Sequence, residues 1–85
     1  MAAFPTDAAG QLRTEKELLI KAEKDIEDGW IRLRNQQDLL GNLQAGGHDS
    51  GQAERLVLLL QQTLIEWERH RALIEERINY LESQP

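Results

Sequence analysis

Cysteine is absent from this chain, and aromatic residues are scarce: its 85 residues include two tryptophans, one tyrosine and one phenylalanine. Without cysteine there is no disulfide framework, no thiolate metal site and no thiol nucleophile. Basic residues are in the minority, because ten lysines and arginines stand against fifteen acidic residues, for a net charge of -5. A chain of this charge without a basic cluster is a poor ligand for phosphates, so we expect neither nucleic acid nor an anionic membrane as partner.

Long apolar runs are also missing. The longest, Leu56 to Leu60, is about a quarter of the roughly 20 residues that cross a bilayer. The first five residues carry neither a basic leader nor the apolar stretch of about 7 to 15 residues that marks a secretory signal. We therefore expect a cytoplasmic protein without a membrane span, and its length allows one small domain.

A seven-residue repeat of apolar side chains fills the first half of the chain. No proline interrupts residues 11–44, and most residues there favour helix, so the repeat predicts one long helix over about 11–45. Two helix starts are open: a capping box from Thr14 to Glu17, or an earlier start after Pro5 at Thr6, which the in-phase Leu12 favours. The repeat consists of Leu12, Leu19, Ile26, Leu33 and Leu40.

The segment before this helix, residues 1–10, offers little besides Phe4 for burial, and we expect it to be disordered. After the helix, residues 45–51 read Ala-Gly-Gly-His-Asp-Ser-Gly, in which glycine closes one helix and Asp49 or Ser50 caps the next. This composition predicts a turn over 46–50. A single helical domain would then extend over 11–85.

The second half repeats apolar residues in alternating steps of four and three, which predicts a second helix over about 51–83. Only Arg71 interrupts this repeat. We read Arg71 either as a side chain whose stem lies along the core while its guanidinium reaches the edge, or as a charge that fixes register. The repeat consists of Ala53, Val57, Leu60, Leu64, Trp67, Ile74, Ile78 and Leu81.

Two helices of nearly equal length joined by a short turn predict an all-α fold, an antiparallel two-helix hairpin of the coiled-coil type. Residues at one level then have numbers that sum to about 97, which aligns Leu40 with Val57, Leu33 with Leu64, and Leu19 with Ile78. The same register sets Gly29 and Trp30 beside Trp67. We expect the missing side chain at Gly29 to make room for that ring and the two tryptophans to lie close together.

A lone hairpin buries one apolar stripe per helix. The stabilisation from this burial is small compared with the conformational entropy that some 70 residues lose on folding. The second helix also carries apolar residues off its seam, and these need cover. We expect two hairpins to dimerise into a four-helix bundle; an unidentified protein partner and a monomer with an exposed patch are the alternatives. The predicted interface residues are Leu56, Leu59, Leu60, Trp67, Leu73 and Trp30.

Catalytic signatures are absent from the sequence. It contains no nucleophile elbow, no phosphate-binding glycine loop and no Glu-x-x-His metal pair, so we expect no enzyme, no cofactor, no metal and no small-molecule substrate. His48 reads as a polar turn residue. His70 is the one histidine on a helix, and it supplies the alternative function, a histidine phosphotransfer domain; its following residues, Arg71 and Ala72, depart from the usual context of such sites.

A set of residues between Gln36 and Arg71 resembles a family of small helical-hairpin proteins abundant in alphaproteobacteria. The family has no assigned activity, so the resemblance implies a hairpin and transfers no catalytic residue. It covers about half the chain and consists of a turn and core leucines. The matching positions are Gln36, Leu39, Leu40, Leu43, Gly47, Asp49, Ala53, Glu54, Leu56, Leu64, His70 and Arg71.

Overall fold

Two helices joined by a short turn make up the computed structural model, which describes residues 7–84. Helix α1 comprises Ala8–Ala45 and helix α2 comprises Gly51–Glu82, and the described residues contain no strand. The helices pack against each other along their length as a hairpin one layer thick, 14 Å in its smallest dimension. The predicted all-α hairpin is confirmed.

Helix α1 begins at Ala8, before the predicted bound of about residue 11 and close to the earlier start at Thr6 that Leu12 favours. Asp7 is its N-cap, and the Asp7 carboxylate accepts a hydrogen bond from the backbone N–H of Gly10. The predicted capping box at Thr14 is wrong, because Thr14 lies inside the helix and its hydroxyl donates to the carbonyl of Gly10 at 3.1 Å. Ala8 to Gly10 are therefore helical, while Thr6 and the rest of residues 1–6, for which disorder is predicted, lie outside the described residues.

The turn uses glycine where the backbone requires it. Gly47 has a φ of +73°, in the left-handed region that other residues rarely adopt. The N–H of His48 then donates to the carbonyl of Leu43 at 2.9 Å, which satisfies one of the free carbonyls at the end of α1. Of the two candidate caps for α2, Asp49 provides the side-chain bond, accepting from the N–H of Gly51 at 3.0 Å.

The core forms along the predicted seam in two clusters. The cluster nearer the turn contains two of the aligned pairs, Leu33 with Leu64 and Leu40 with Val57, and the cluster nearer the open end contains Leu19 with Ile78. Ile74, in the second cluster, is fully buried. Each cluster thus contains the residues that the predicted register aligns, while their pairing residue by residue stays a prediction. The buried apolar side chains are Ala22, Ile26, Leu33, Ala53, Val57, Leu64, Ile74 and Ile78.

At Gly29, side chains of α2 come close to the backbone of α1. A Cβ built on Gly29 would lie 2.8 Å from Cδ2 of Leu64 and 3.1 Å from Cζ3 of Trp67, nearer than packed side chains tolerate. The absence of a side chain at this position thus lets the Trp67 ring and Leu64 pack against α1, as the sequence predicts. Trp30, the next residue, points to the surface and is half-exposed; its predicted closeness to Trp67 stays a prediction.

Candidate interaction surface

The side of α2 that points away from α1 is rich in large apolar side chains. Because Ala53, Val57 and Leu64 face α1, residues half a helical turn away from them face outward. We call this surface the outer face of α2. Its members, all exposed, are Arg55, Leu58, Leu59, Gln62, Ile65, Glu66, Arg69, Ala72, Leu73, Glu76, Asn79 and Tyr80.

The corresponding side of α1 is different in kind. Most of its residues are charged or polar, as expected for a helix face in water, and two exposed apolar residues, Ile20 and Ile31, stand among them. The two helices contribute similar stripes to the shared core, so the asymmetry lies entirely in what they present outward. The outward residues of the central part of α1 are Lys24, Glu27, Asp28, Ile31, Arg34, Asn35 and Asp38.

A groove next to the turn extends this apolar surface onto α1. It has a volume of about 460 Å³, and Leu39 and Leu43 of α1 line it together with Leu56 of α2. Leu39 and Leu56 are both exposed. Since Leu56 is one helical turn from Leu59 and Leu60, this groove and the outer face of α2 form neighbouring parts of one apolar region near the turn.

The six predicted interface residues fall into two groups. Leu56, Leu59 and Leu73 are exposed on α2, whereas Leu60 and Trp67 are partly buried because they pack against the core of their own hairpin. Trp30 is exposed and lines a separate groove of about 390 Å³, together with Leu64 and the outer-face residue Ile65. The structure therefore does not bring the six together into one patch.

Several surface residues are missing from that predicted set. Leu58, Ile65 and Tyr80 belong to the outer face of α2; the sequence already marks them as apolar residues off the seam that need cover, although the six do not include them. Leu39 is harder to find, because it stands beside the seam residue Leu40 and only the folded hairpin shows that it lies across from Leu56.

Ion pairs connect the two helices near the open end. The Arg77 guanidinium bonds Glu15 at 2.7 Å, and the ammonium of Lys16 lies 3.4 Å from the Glu82 carboxylate. The remaining pairs lie within single helices, and all are at least partly exposed, so each contributes only a few tenths of a kcal/mol. They are Lys21 with Asp25, Arg69 with Glu66, and Arg71 with Glu75.

The geometry of Arg71 agrees with the interpretation that its stem lies along the core while its guanidinium reaches the edge. It occupies a seam position, its side chain is about one-third exposed, and its Nε lies 4.0 Å from Oε1 of Glu75. The stem therefore runs along the core while the charged end reaches the edge of the hairpin. Its possible role in fixing the register of an assembly stays a prediction.

The described residues offer no cluster of histidines and carboxylates that could hold a metal ion. His70 is exposed on α2, and the neighbouring Glu66 carboxylate bonds Arg69 at 3.0 Å. His48 lies in the turn against Gly46.

Exposure of His70 makes the phosphotransfer alternative directly testable. We expect incubation with acetyl phosphate to leave the intact mass unchanged, because no neighbouring group is arranged to activate the imidazole. The His70→Ala variant serves as the control. An acid-labile addition of one phosphoryl group to the parent chain, absent from the variant, would establish the alternative.

Neither helix within residues 7–84 carries an apolar stretch of the length needed to cross a bilayer. Comparison of the chain with models of known protein families, with curated proteins and with solved structures gives no match. The surface of the hairpin is therefore the basis for the proposed function.

Proposed function

We propose that this protein is a non-enzymatic protein–protein interaction module that self-associates into a homodimer of four helices. The observation that carries the proposal is the outer face of α2, where five large apolar side chains lie exposed on a helix whose opposite side already packs against α1. A helix that is apolar on both sides is typical of a central position in an assembly. The five are Leu58, Leu59, Ile65, Leu73 and Tyr80.

The exposed area supports the same proposal. The chain exposes 6631 Å², whereas a compact folded monomer of its mass exposes about 5,200 Å². A typical stable interface buries roughly 800 Å² on each partner. One such interface fits within the difference.

A second copy is the occupant that the chemistry of the face favours. The face combines apolar side chains with charges of both signs, Arg55 and Arg69 against Glu66 and Glu76, so it is chemically complementary to itself. A surface whose charges are all of one sign favours a partner of the opposite charge. The outer face of α2 carries both signs, so it does not favour such a partner. A homodimer also covers the outer face of α2 on both copies without a second kind of protein.

Light scattering on a sizing column, over a concentration series, tests the proposal. We expect a mass of twice 9.8 kDa at high concentration, with dissociation on dilution and a melting temperature that rises with protein concentration. A particle of 9.8 kDa at every concentration, with a melting temperature independent of concentration, would contradict self-association. In that case a different protein remains as the partner for this face.

A further inference from the structure

The charges on the outer face of α2 are ordered along the helix. Arg55 lies near the turn, Glu76 lies near the open end, and Gln62 and Arg69 lie between them at intervals of seven residues. Residues seven apart share one side of a helix, so these four form a line down the middle of the face. Neither Arg55 nor Glu76 forms an ion pair with any residue of the described chain.

Building on the proposed self-association, we infer that two copies pair their outer faces with the α2 helices antiparallel, about a two-fold axis near Ile65. Facing residues then have numbers that sum to about 131. This sets Arg55 opposite Glu76 of the second copy, and by symmetry the same ion pair forms a second time. In the same register Leu59 faces Leu73 of the second copy.

The helix ends agree with this register independently of the charges. Helix α2 extends over Gly51–Glu82, so its midpoint lies between residues 66 and 67, within about one residue of the inferred axis. Antiparallel helices paired about their midpoints overlap along almost their full length, which gives the largest buried area. The register that matches the charges therefore also lets the two α2 helices overlap along almost their full length.

A parallel pairing of the same faces fails on electrostatics. Each residue would then lie beside its own copy, so Arg55 would meet Arg55, and Glu76 would meet Glu76. Like charges that face each other across a helix pair are destabilising. Among the charged residues of the face, only Glu66 approaches its own copy in the antiparallel dimer, and there Arg69 of the same chain already bonds the Glu66 carboxylate at 3.0 Å.

In this dimer the two α2 helices lie at the centre and the two α1 helices lie outside. The charged outward side of α1 keeps its contact with water, as its composition requires. The helix order α1, α2, α2, α1 specifies the four-helix assembly more closely than self-association does, since it fixes which helices touch and in which direction.

A charge exchange at two positions tests the pairing. We expect Arg55→Glu alone and Glu76→Arg alone each to weaken the dimer roughly five- to tenfold, because each creates two pairs of like charge. The double variant should dimerise as the parent chain does. An equal mixture of the two single variants should also recover, because opposite charges then face each other in the mixed dimer. Additive weakening in the double variant would overturn the antiparallel pairing.

A distance measurement separates this inference from the proposed function. The chain has no cysteine, so His48→Cys in the turn gives one spin-label site outside the face. The antiparallel dimer sets the two labels about 50 Å apart, at 1.5 Å per residue from the axis, whereas a parallel dimer brings them within about 25 Å. A short distance would overturn the antiparallel pairing and leave self-association standing. No dipolar coupling at high concentration, together with a monomer mass, would overturn both.

Discussion

Replacing Ile65 with glutamate should abolish dimerisation at concentrations where the parent chain is dimeric. Ile65 is 56% exposed on the hairpin, so the charge does not disturb the fold of the single chain. On the outer face of α2, however, each dimer would lose two apolar side chains and bury two carboxylates. We expect the dissociation constant to rise by at least about 100-fold, since these changes cost roughly 3 kcal/mol or more.

Ile31→Glu is the matched control for that variant. Ile31 is 54% exposed, nearly the same as Ile65, but it lies on the outward side of α1 among charged residues. We expect this variant to keep the parent dissociation constant by light scattering and the parent helicity by circular dichroism. Equal weakening by both substitutions would show that dimerisation does not depend on the outer face of α2.

Gly29→Ala should destabilise the protein, against the general rule that alanine is the better helix former. Alanine in a helix is favoured over glycine by about 1 kcal/mol. Here the added Cβ would lie 2.8 Å from Leu64 and 3.1 Å from the Trp67 ring, and Leu64 is buried in the core with little room to move. We expect the overpacking to outweigh the helix preference and to lower the free energy of unfolding by about 1 kcal/mol or more.

Gly41→Ala is the control for this second prediction. Gly41 is also inside α1, and a Cβ built there meets nothing within 4 Å. It should therefore raise the free energy of unfolding by about 1 kcal/mol, so that the two alanine variants differ in sign. Urea melts at one fixed protein concentration give the comparison, because association shifts apparent stability. If both variants were stabilised equally, the helices would not approach closely at Gly29.

Several features of the hairpin follow from local sequence alone. The repeat from Leu12 to Leu40 determines which side of α1 is buried, because a helix exposes the same side every seven residues. The turn is equally local, since Gly47 occupies a left-handed conformation that side chains disfavour. Register then follows from the lengths of the two repeats and of the turn between them.

The start of α1 is less accessible to pattern reasoning. The sequence offers two starts, at Thr14 and at Thr6, and the structure has the cap at Asp7, between them in the chain. With the start at Ala8, Leu12 packs against the cluster at the open end, and Arg77 meets Glu15. Contacts with α2 therefore select the start, and α2 is remote in sequence.

The candidate interaction surface also depends partly on local sequence and partly on contacts between the helices. The sequence by itself determined that α2 has more apolar residues than one seam can bury. The seven-residue repeat assigns certain positions to the seam, and α2 has further apolar residues at other positions. Only the tertiary structure decided which of them remain exposed: packing over Gly29 draws Trp67 inward and Leu60 joins the core, while Ile65 and Leu73 stay outside. The reason is that burial depends on what the opposite helix presents at each level, and that is a property of two segments brought together rather than of either one.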